Sequence, residues 1–568
     1  MYVKRSTRRT GDGQVIGYLQ LAHNEWDPVA KASKTKVLYS FGREDQLDVA
    51  GIRRLVAALS RLLEPADALA ATAPAELVFT ESRPLGGSFV LDGLWRRLGI
   101  DAAMHRMLAG TRMDERVERI VFALVANRAL APSSKLAATR WIEHDVVIDG
   151  LECAVVDEAC YRAMDWLIKV EPELSRIVYD NTANLLNLEV DLLFFDTTST
   201  YFEIEDADTP IGRDERGMPA ADEAAVKETG FRTWGKSKDS RPDLPQIVVG
   251  MAVTRDGIPV RCWAWPGNTA DNALIRQVKD DMRDWSLSRV VWVADRGFAS
   301  AENRRYLQRA GGHYILGEKL RGDSPEARAA LSRQGRYKTV AGNMEVKEVR
   351  LDADLADDRF VVCFNPDAAV RDAKIRARMV ELLEETIAGS DKLSRPERAR
   401  LEGVISTKPG LKRYLRTTPG GLLRVDKKKI SAEENLDGKF LLRTSDPKLS
   451  AEDIALGYKQ LLEVERGWRD MKQVIDLRPV YHRHEERIRA HVLLCWLALL
   501  LIRIVETTTD ATWPTIRQEL QRLHLGTFTG PAGSFRQRTQ LTAAQQKILN
   551  ALGLPQPRRV HEVTPSTP

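Results

Sequence analysis

Hydrophobic and polar positions change rhythm several times along this chain. Residues 1 to about 75 mix short alternating runs (14–21 and 36–41) with a helical pattern over 49–63, and the Ala/Pro-rich stretch 68–75 reads as a linker. From 83 to 188 apolar residues recur at helical spacing, most clearly over 116–130 and 161–186, which predicts a compact helical region. At about 190 the pattern turns to strands: 191–203, a polar loop to about 243, then 246–253 and 258–265, joined by the turn Arg255-Asp256-Gly257 into a hairpin. Residues 271–285 place Leu274, Val278, Met282 and Trp285 on one helical face, followed by strand 289–295, helix 300–310 and strand 313–317. Residues 320–448 alternate strand-like pieces (345–351, 360–364, 421–425, 439–442) with a charged helix at 368–388. Ser450-Ala451-Glu452-Asp453 then opens a helix in the manner of a capping box, and Pro479 marks its end.

Strand, hairpin, helix, strand, helix, strand is the order of an RNase H-like core. The expected fold class is therefore α/β: an RNase H-like catalytic core interrupted by a β-rich α+β insertion, with a largely helical N-terminal region. The expected divisions are an N-terminal α+β segment (1–75), a helical region expected to bind DNA (76–188), the first part of the core (189–319), an insertion subdomain (320–448), the second part of the core (449–510) and a C-terminal helical segment (511–568) that frays after about Pro555.

Composition narrows the class without naming it. With 568 residues, 43% hydrophobic and 29% charged, the chain is multidomain globular material, and a net charge of +5 is compatible with nucleic acid without requiring it. Cys153, Cys160, Cys262, Cys363 and Cys495 are scattered with no C-x2-C pair, which argues against structural zinc and against a disulfide framework, and fits a reducing cytoplasm. The start, Met1-Tyr2-Val3-Lys4-Arg5, leads into polar sequence rather than a signal peptide. The apolar run 492–505 contains Arg503 and is shorter than a membrane span, so it reads as a buried helix and no membrane partner is expected.

Candidate chemistry lies in three carboxylates. Asp196 and Asp295 each close a buried strand-like run, Leu192-Leu193-Phe194-Phe195 and Val290-Val291-Trp292-Val293-Ala294, and the strand order places the two side by side. A carboxylate there is costly unless it meets a cation, and a hard divalent metal suits it. Tyr458, Glu465 and Lys472 are seven residues apart in one helical stretch, with Leu461 and Trp468 between, so all three are expected on one inward face.

On these residues the chain resembles a bacterial insertion-sequence DDE transposase, of the branch with a β-rich insertion and the signature Y-x2-R-x3-E-x6-K. Tyr458, Glu465 and Lys472 match it, with Leu461 in place of the Arg; Phe195-Asp196-Thr197-Thr198 and Asp295-Arg296-Gly297-Phe298 resemble the two Asp motifs. The resemblance covers roughly 190–505. It implies that Asp196, Asp295 and Glu465 are catalytic and bind two Mg2+ ions, for which Mn2+ can substitute. It further implies in-line cleavage at terminal inverted repeats and strand transfer into target DNA, by a homodimer assembled on DNA in the bacterial cytoplasm at the nucleoid, with no nucleotide cofactor. Tyr458, Lys472, Lys236, Lys238, Arg241 and Arg296 are the candidate DNA contacts, Lys236 to Arg241 lying in a Gly-Lys-Ser-Lys-Asp run that resembles a segment of these transposases. Alternatives are an RNase H-like nuclease without strand transfer and a non-catalytic, transposase-derived DNA-binding protein.

Weaker signals surround this core. From Arg395 to Lys429 eleven Lys/Arg face three acidic residues, a block able to meet phosphates or to form a solvated face. Some relatives stack a flipped base on an insertion-domain Trp; residues 320–448 hold none, which leaves Tyr337, Phe364, Tyr414 or Phe440. Gly230 to Ser237 fits a phosphate-loop pattern but lacks the strand-to-helix context, and His484-Glu485 fails as a zinc motif because position 488 is Ile.

Overall fold

The computed structural model describes the chain except residues 12–13, 29–30, 61–76, 152–153, 187–191, 222–223, 284, 286–289, 322–323, 353, 531–532 and 566–568. The linker expected at 68–75, Cys153, and the first residues of the strands expected at 191 and 289 lie outside the described residues. The chain divides into two compact units.

The first unit comprises 1–82, 526–537 and 560–568. Tyr2–Arg9, Val15–Asp27 and Ala32–Arg43 form an antiparallel sheet, followed by helix Val49–Ser60. A second sheet runs in the order Val560–Pro565, Gly533–Arg538, His524–Gly530, Val78–Pro84. The segment 511–568 is thus not the helical segment with a frayed tail that the sequence suggested. Besides helices Trp513–Gln521 and Ala543–Ala551 it supplies three strands, and Val560–Pro565 pairs antiparallel with Gly533–Arg538. Pairing gives the tail's backbone the hydrogen bonds that a lone Pro/Thr-rich end would take from water.

The second unit, 83–525 and 538–559, is built on a mixed α/β plan. Its sheet contains β1 (Leu192–Tyr201), β2 (Gln246–Val253), β3 (Pro259–Pro266), β4 (Val291–Ala294), β5 (His313–Glu318), β6 (Lys338–Ala341), β7 (Met344–Arg350), β8 (Arg359–Phe364) and β9 (Lys439–Thr444). The spatial order is β6-β7-β8-β9-β5-β4-β1-β2-β3. β1 pairs parallel with β4, and β4 with β5, whereas β1-β2-β3 is an antiparallel meander. Every residue of β2 and β3 is buried, the mark of strands covered on both faces. Val249 and Met251 join one core with Val464, Trp468 and Leu499, while Val248 and Ala252 join the opposite core with Leu274 and Val278.

Residues 320–448 form a small sheet of their own, Leu415–Thr417 paired with Leu423–Val425, and also supply β6 to β9. Strands β6 to β9 extend the main sheet, because β9 pairs antiparallel with β5 and covers what would otherwise be an open edge. The part that separates holds that small sheet and helices Pro366–Ile387 and Arg395–Ser406, packing around Leu383, Ile405, Leu411, Tyr414 and Leu423. The helices between Gly86 and Leu186 share one hydrophobic core with the sheet, Trp95, Phe122 and Leu167 clustering with Val249 and Trp496.

Four helices place the site: α1 (Asp271–Asp281), α2 (Ala451–Lys459), α3 (Leu462–Gln473) and α4 (Glu485–Thr509). The helix expected to run unbroken from Ser450 to Pro479 starts with the expected capping box but breaks after Lys459. Around Gln460 the backbone tightens to i→i+3 bonds, Leu461 to Tyr458 and Val464 to Leu461, so the side chains beyond it rotate out of register with those before. α4 is long and apolar enough to cross a membrane, and its apolar window is wholly buried in protein. Its Arg503 pairs with Asp470 and Glu506 at 2.6 Å each. The described cysteines, Cys160, Cys262, Cys363 and Cys495, are free and buried.

Candidate active site

Strand alternation sets which way each residue of β1 points. Phe194 lies in the core on the α3 side and Phe195 in the core on the α1 side, so Asp196 and Thr198 follow Phe194, whereas Thr197 and Ser199 follow Phe195. On β4, Val293 and Ala294 divide the same way, which turns Asp295 to the α3 side. Parallel pairing aligns Phe195 with Ala294, so Asp196 and Asp295 leave adjoining strands at the same level and on the same face.

Burial pushes the Asp196 carboxyl up to about 6, and Asp271 and Asp295 add to the rise; Lys238 and the Thr197 backbone N–H oppose it. Tyr458, on α2, donates to Asp295 Oδ1 at 3.2 Å, and burial together with that carboxylate raises its phenol well above the ordinary range. Gly317 on β5 makes this reach possible, because a β-carbon there would collide with Tyr458 Oη.

Glu465 is placed differently. It lies in the first turn of α3, one position off the buried stripe of Val464, Trp468 and Met471, and is exposed. The expectation that it shares Tyr458's inward face is corrected by the tightened turn between α2 and α3. Among the described residues the Glu465 carboxylate has no hydrogen-bond or ion-pair partner, and no three His, Cys, Asp or Glu side chains stand close enough to hold a metal ion on their own. Lys472, two turns further along α3, reaches β1: its ammonium donates to Thr198 Oγ1 and Asp239 Oδ1, both at 2.8 Å.

The other candidate contacts divide into engaged and free. Lys238 donates to the Thr197 carbonyl at 2.7 Å and pairs with Asp271 at 3.2 Å. Arg241 pairs with Asp243 at 2.8 Å and lies over the Tyr201 ring. Lys236 and Arg296 are exposed. Arg296 lines a cleft of about 660 Å³ beside Asp295, together with Lys319, Arg321, Lys439 and Phe440. Of the four aromatics considered for base stacking, Phe440 lines this cleft and stacks on Tyr458, Tyr337 packs on Phe364, and Tyr414 is buried in the helical cluster. Of the eleven cations from Arg395 to Lys429, Lys427, Lys428 and Lys429 are exposed, whereas Arg424 pairs with Asp391.

The phosphate-loop look-alike is structural. Gly230 to Ser237 follows a short strand, Lys227–Thr229, outside the main sheet and leads into no helix. At Gly235 a β-carbon would strike the Gly267 carbonyl, so this glycine answers a close backbone approach. Sequence reasoning missed Asp239 and Asp271, the carboxylates that hold Lys472 and Lys238; each partner is distant in sequence, and no local pattern announces the pairing.

Two family comparisons define the class. The transposase DDE domain matches residues 225–501, a stretch that contains Asp295 and Glu465 and begins after Asp196. The chain is a DDE transposase, an enzyme that acts on DNA and depends on divalent metal. The N-terminal domain of IS1634 family transposases matches residues 3–70, which makes this an insertion-sequence transposase. A solved piggyBac transposase synaptic complex with hairpin DNA is similar at 10% identity over 77% of this chain and 78% of that one, with a TM-score of 0.32. No curated protein matches.

Proposed function

We propose that this transposase cuts DNA at the terminal inverted repeats of its element and joins the freed 3′ ends to target DNA, with Asp196, Asp295 and Glu465 as the catalytic carboxylates of an RNase H-like core. The adjoining aspartates, Asp196 within β1 and Asp295 at the end of β4, with the Asp196 carboxyl raised by burial, carry this reading. A hard cation fits them: two carboxylates share one face and level, and the larger of the forces on Asp196 is burial of its charge. In this reading Asp196 and Asp295 would hold Mg2+, which would supply Lewis-acid activation of the nucleophile and stabilisation of the leaving oxygen, and Glu465 would have to approach them to become a third ligand, since the three do not stand within metal-holding distance here.

The protein's own groups do the rest. Tyr458 holds the Asp295 carboxylate in place, and Lys472 stands beside Thr198 on the Asp196 face, where its charge favours an incoming phosphate. Arg296 and the cleft cations bind the strand next to the scissile bond, and exposed Lys236 adds a phosphate contact. The helical region 76–188 contributes to end binding, and two copies act together on paired ends, at the nucleoid and without a membrane or a nucleotide.

Pre-cleaved ends bearing a 3′-hydroxyl, incubated with Mg2+ and a supercoiled target plasmid, test the reading. Strand-transfer products are expected. Hydrolysis alone would instead indicate a nuclease, and metal-dependent binding without any cleavage a DNA-binding protein.

A further inference from the structure

Beyond Phe195, strand β1 loses its β4 neighbour, whereas its pairing with β2 continues to Tyr201. The edge that carries Asp196 is closed instead by the loop 236–241. The Lys238 backbone N–H donates to Ser199 Oγ at 2.8 Å, and its ammonium reaches the Thr197 carbonyl at 2.7 Å and Asp271 at 3.2 Å. Asp271 in turn accepts from Thr197 Oγ1 at 2.7 Å. The next residue serves the opposite face: Asp239 accepts from Lys472 at 2.8 Å and from Arg478 at 3.1 Å, and Lys472 bonds Thr198. Ser237 Oγ accepts from the Asp239 and Arg241 backbone N–H groups, which fixes the turn between them.

We propose that Lys238 and Asp239 are positioning residues, a two-residue clamp of opposite charges that grips both faces of β1 and holds Lys472 beside Thr198, on the strand face that carries Asp196. The assignment rests on the reading of Asp196 as a catalytic carboxylate. Three features support it. Both charges are partly buried and each is met by an opposite charge, so neither is spare for DNA. Lys238 bonds the Thr197 carbonyl and Asp239 reaches Thr198 through Lys472, so a shift of the loop moves the stretch of β1 that follows Asp196. Asp239 also ties Arg478, beyond the end of α3, to the same loop, so β1 and α3 are held in one register.

The test is single-turnover cleavage of end DNA at saturating enzyme, with DNA affinity and melting temperature measured in parallel. The variants are Asp239→Asn, Lys238→Gln, Asp239→Glu and Asp196→Ala. The clamp predicts a rate loss of roughly 10- to 100-fold in the first two, the cost of a displaced reacting group. DNA affinity should stay within about twofold, and Asp239→Glu should recover much of the rate. Weakened affinity with a shallower salt dependence and an unchanged saturating rate would make these residues DNA contacts and overturn the proposal. A lowered melting temperature with an unchanged rate would overturn it as well, since the pairs would then serve stability alone. Lys238→Gln decides the matter should Asp239→Asn fail to fold, because Lys238 and Asp271 are each about one-third exposed. Cleavage by Asp196→Ala would defeat the underlying reading; an inactive Asp196→Ala beside fully active clamp variants would defeat the clamp alone.

Discussion

The two strand-borne aspartates and the helix-borne glutamate proposed to act with them are held by different physics. Asp196 and Asp295 are placed by backbone pairing, and a one-residue slip in either strand would turn its carboxylate to the other face. The position of Asp196 costs solvation, visible in its raised carboxyl. Glu465 sits in water on the first turn of α3 and pays no such cost. Removing the buried charge of Asp196 should therefore move stability, whereas removing the exposed charge of Glu465 should leave it almost unchanged.

The largest expected mark is on Asp196. Its folded carboxyl, at about 6 against an ordinary value near 3.8, holds its proton more tightly than the unfolded chain does. Metal-free protein accordingly loses stability as pH rises from about 4 to about 6 and stays at the lower level above. Asp196→Asn removes the charge, so it should stabilise the metal-free protein at pH 8 by at most about 3 kcal/mol and not at all at pH 4. Thermal melts at the two pH values measure this, and equal shifts at both would break the contrast.

Next in size is the support under Asp295. Gly317→Ala places a methyl against Tyr458 Oη and should cut cleavage roughly 100-fold by displacing the pair. Tyr458→Phe removes only the bond to Asp295 and should cost about tenfold, equivalent to about 1.4 kcal/mol. If the smaller change cost more than the larger in single-turnover assays, the phenol itself would matter beyond positioning. Smallest is Glu465→Gln: an exposed, unpartnered side chain should shift stability by less than about 0.5 kcal/mol in denaturant titrations.

The strands were legible because Leu192 to Phe195 and Gln246 to Val253 are apolar runs buried on both faces, and the hairpin announced itself through Arg255-Asp256-Gly257. The capping box at Ser450 marked its helix correctly. The break after Lys459 was not legible, because Gly457 lies within the helix before it, no Pro follows until Pro479, and the tightening is a matter of backbone bonding. Nor was the pairing of β9 with β5, since an edge strand's partner is chosen by the whole sheet. At the site, Asp196 and Asp295 could be placed from strand order, whereas the exposure of Glu465 and the engagement of Lys238 and Lys472 by Asp271 and Asp239 depend on contacts remote in sequence.

Glu465 is where the account is most exposed to test, because the sheet does not fix it. Single-turnover nicking of end DNA by Glu465→Ala in Mg2+, with melting temperature and DNA affinity measured alongside, addresses it directly. The account predicts a loss of roughly a thousandfold or more, matching Asp196→Ala and Asp295→Ala, with the fold and DNA binding retained. Cleavage within tenfold of the unaltered enzyme would contradict it and leave the two strand aspartates to act without the helix.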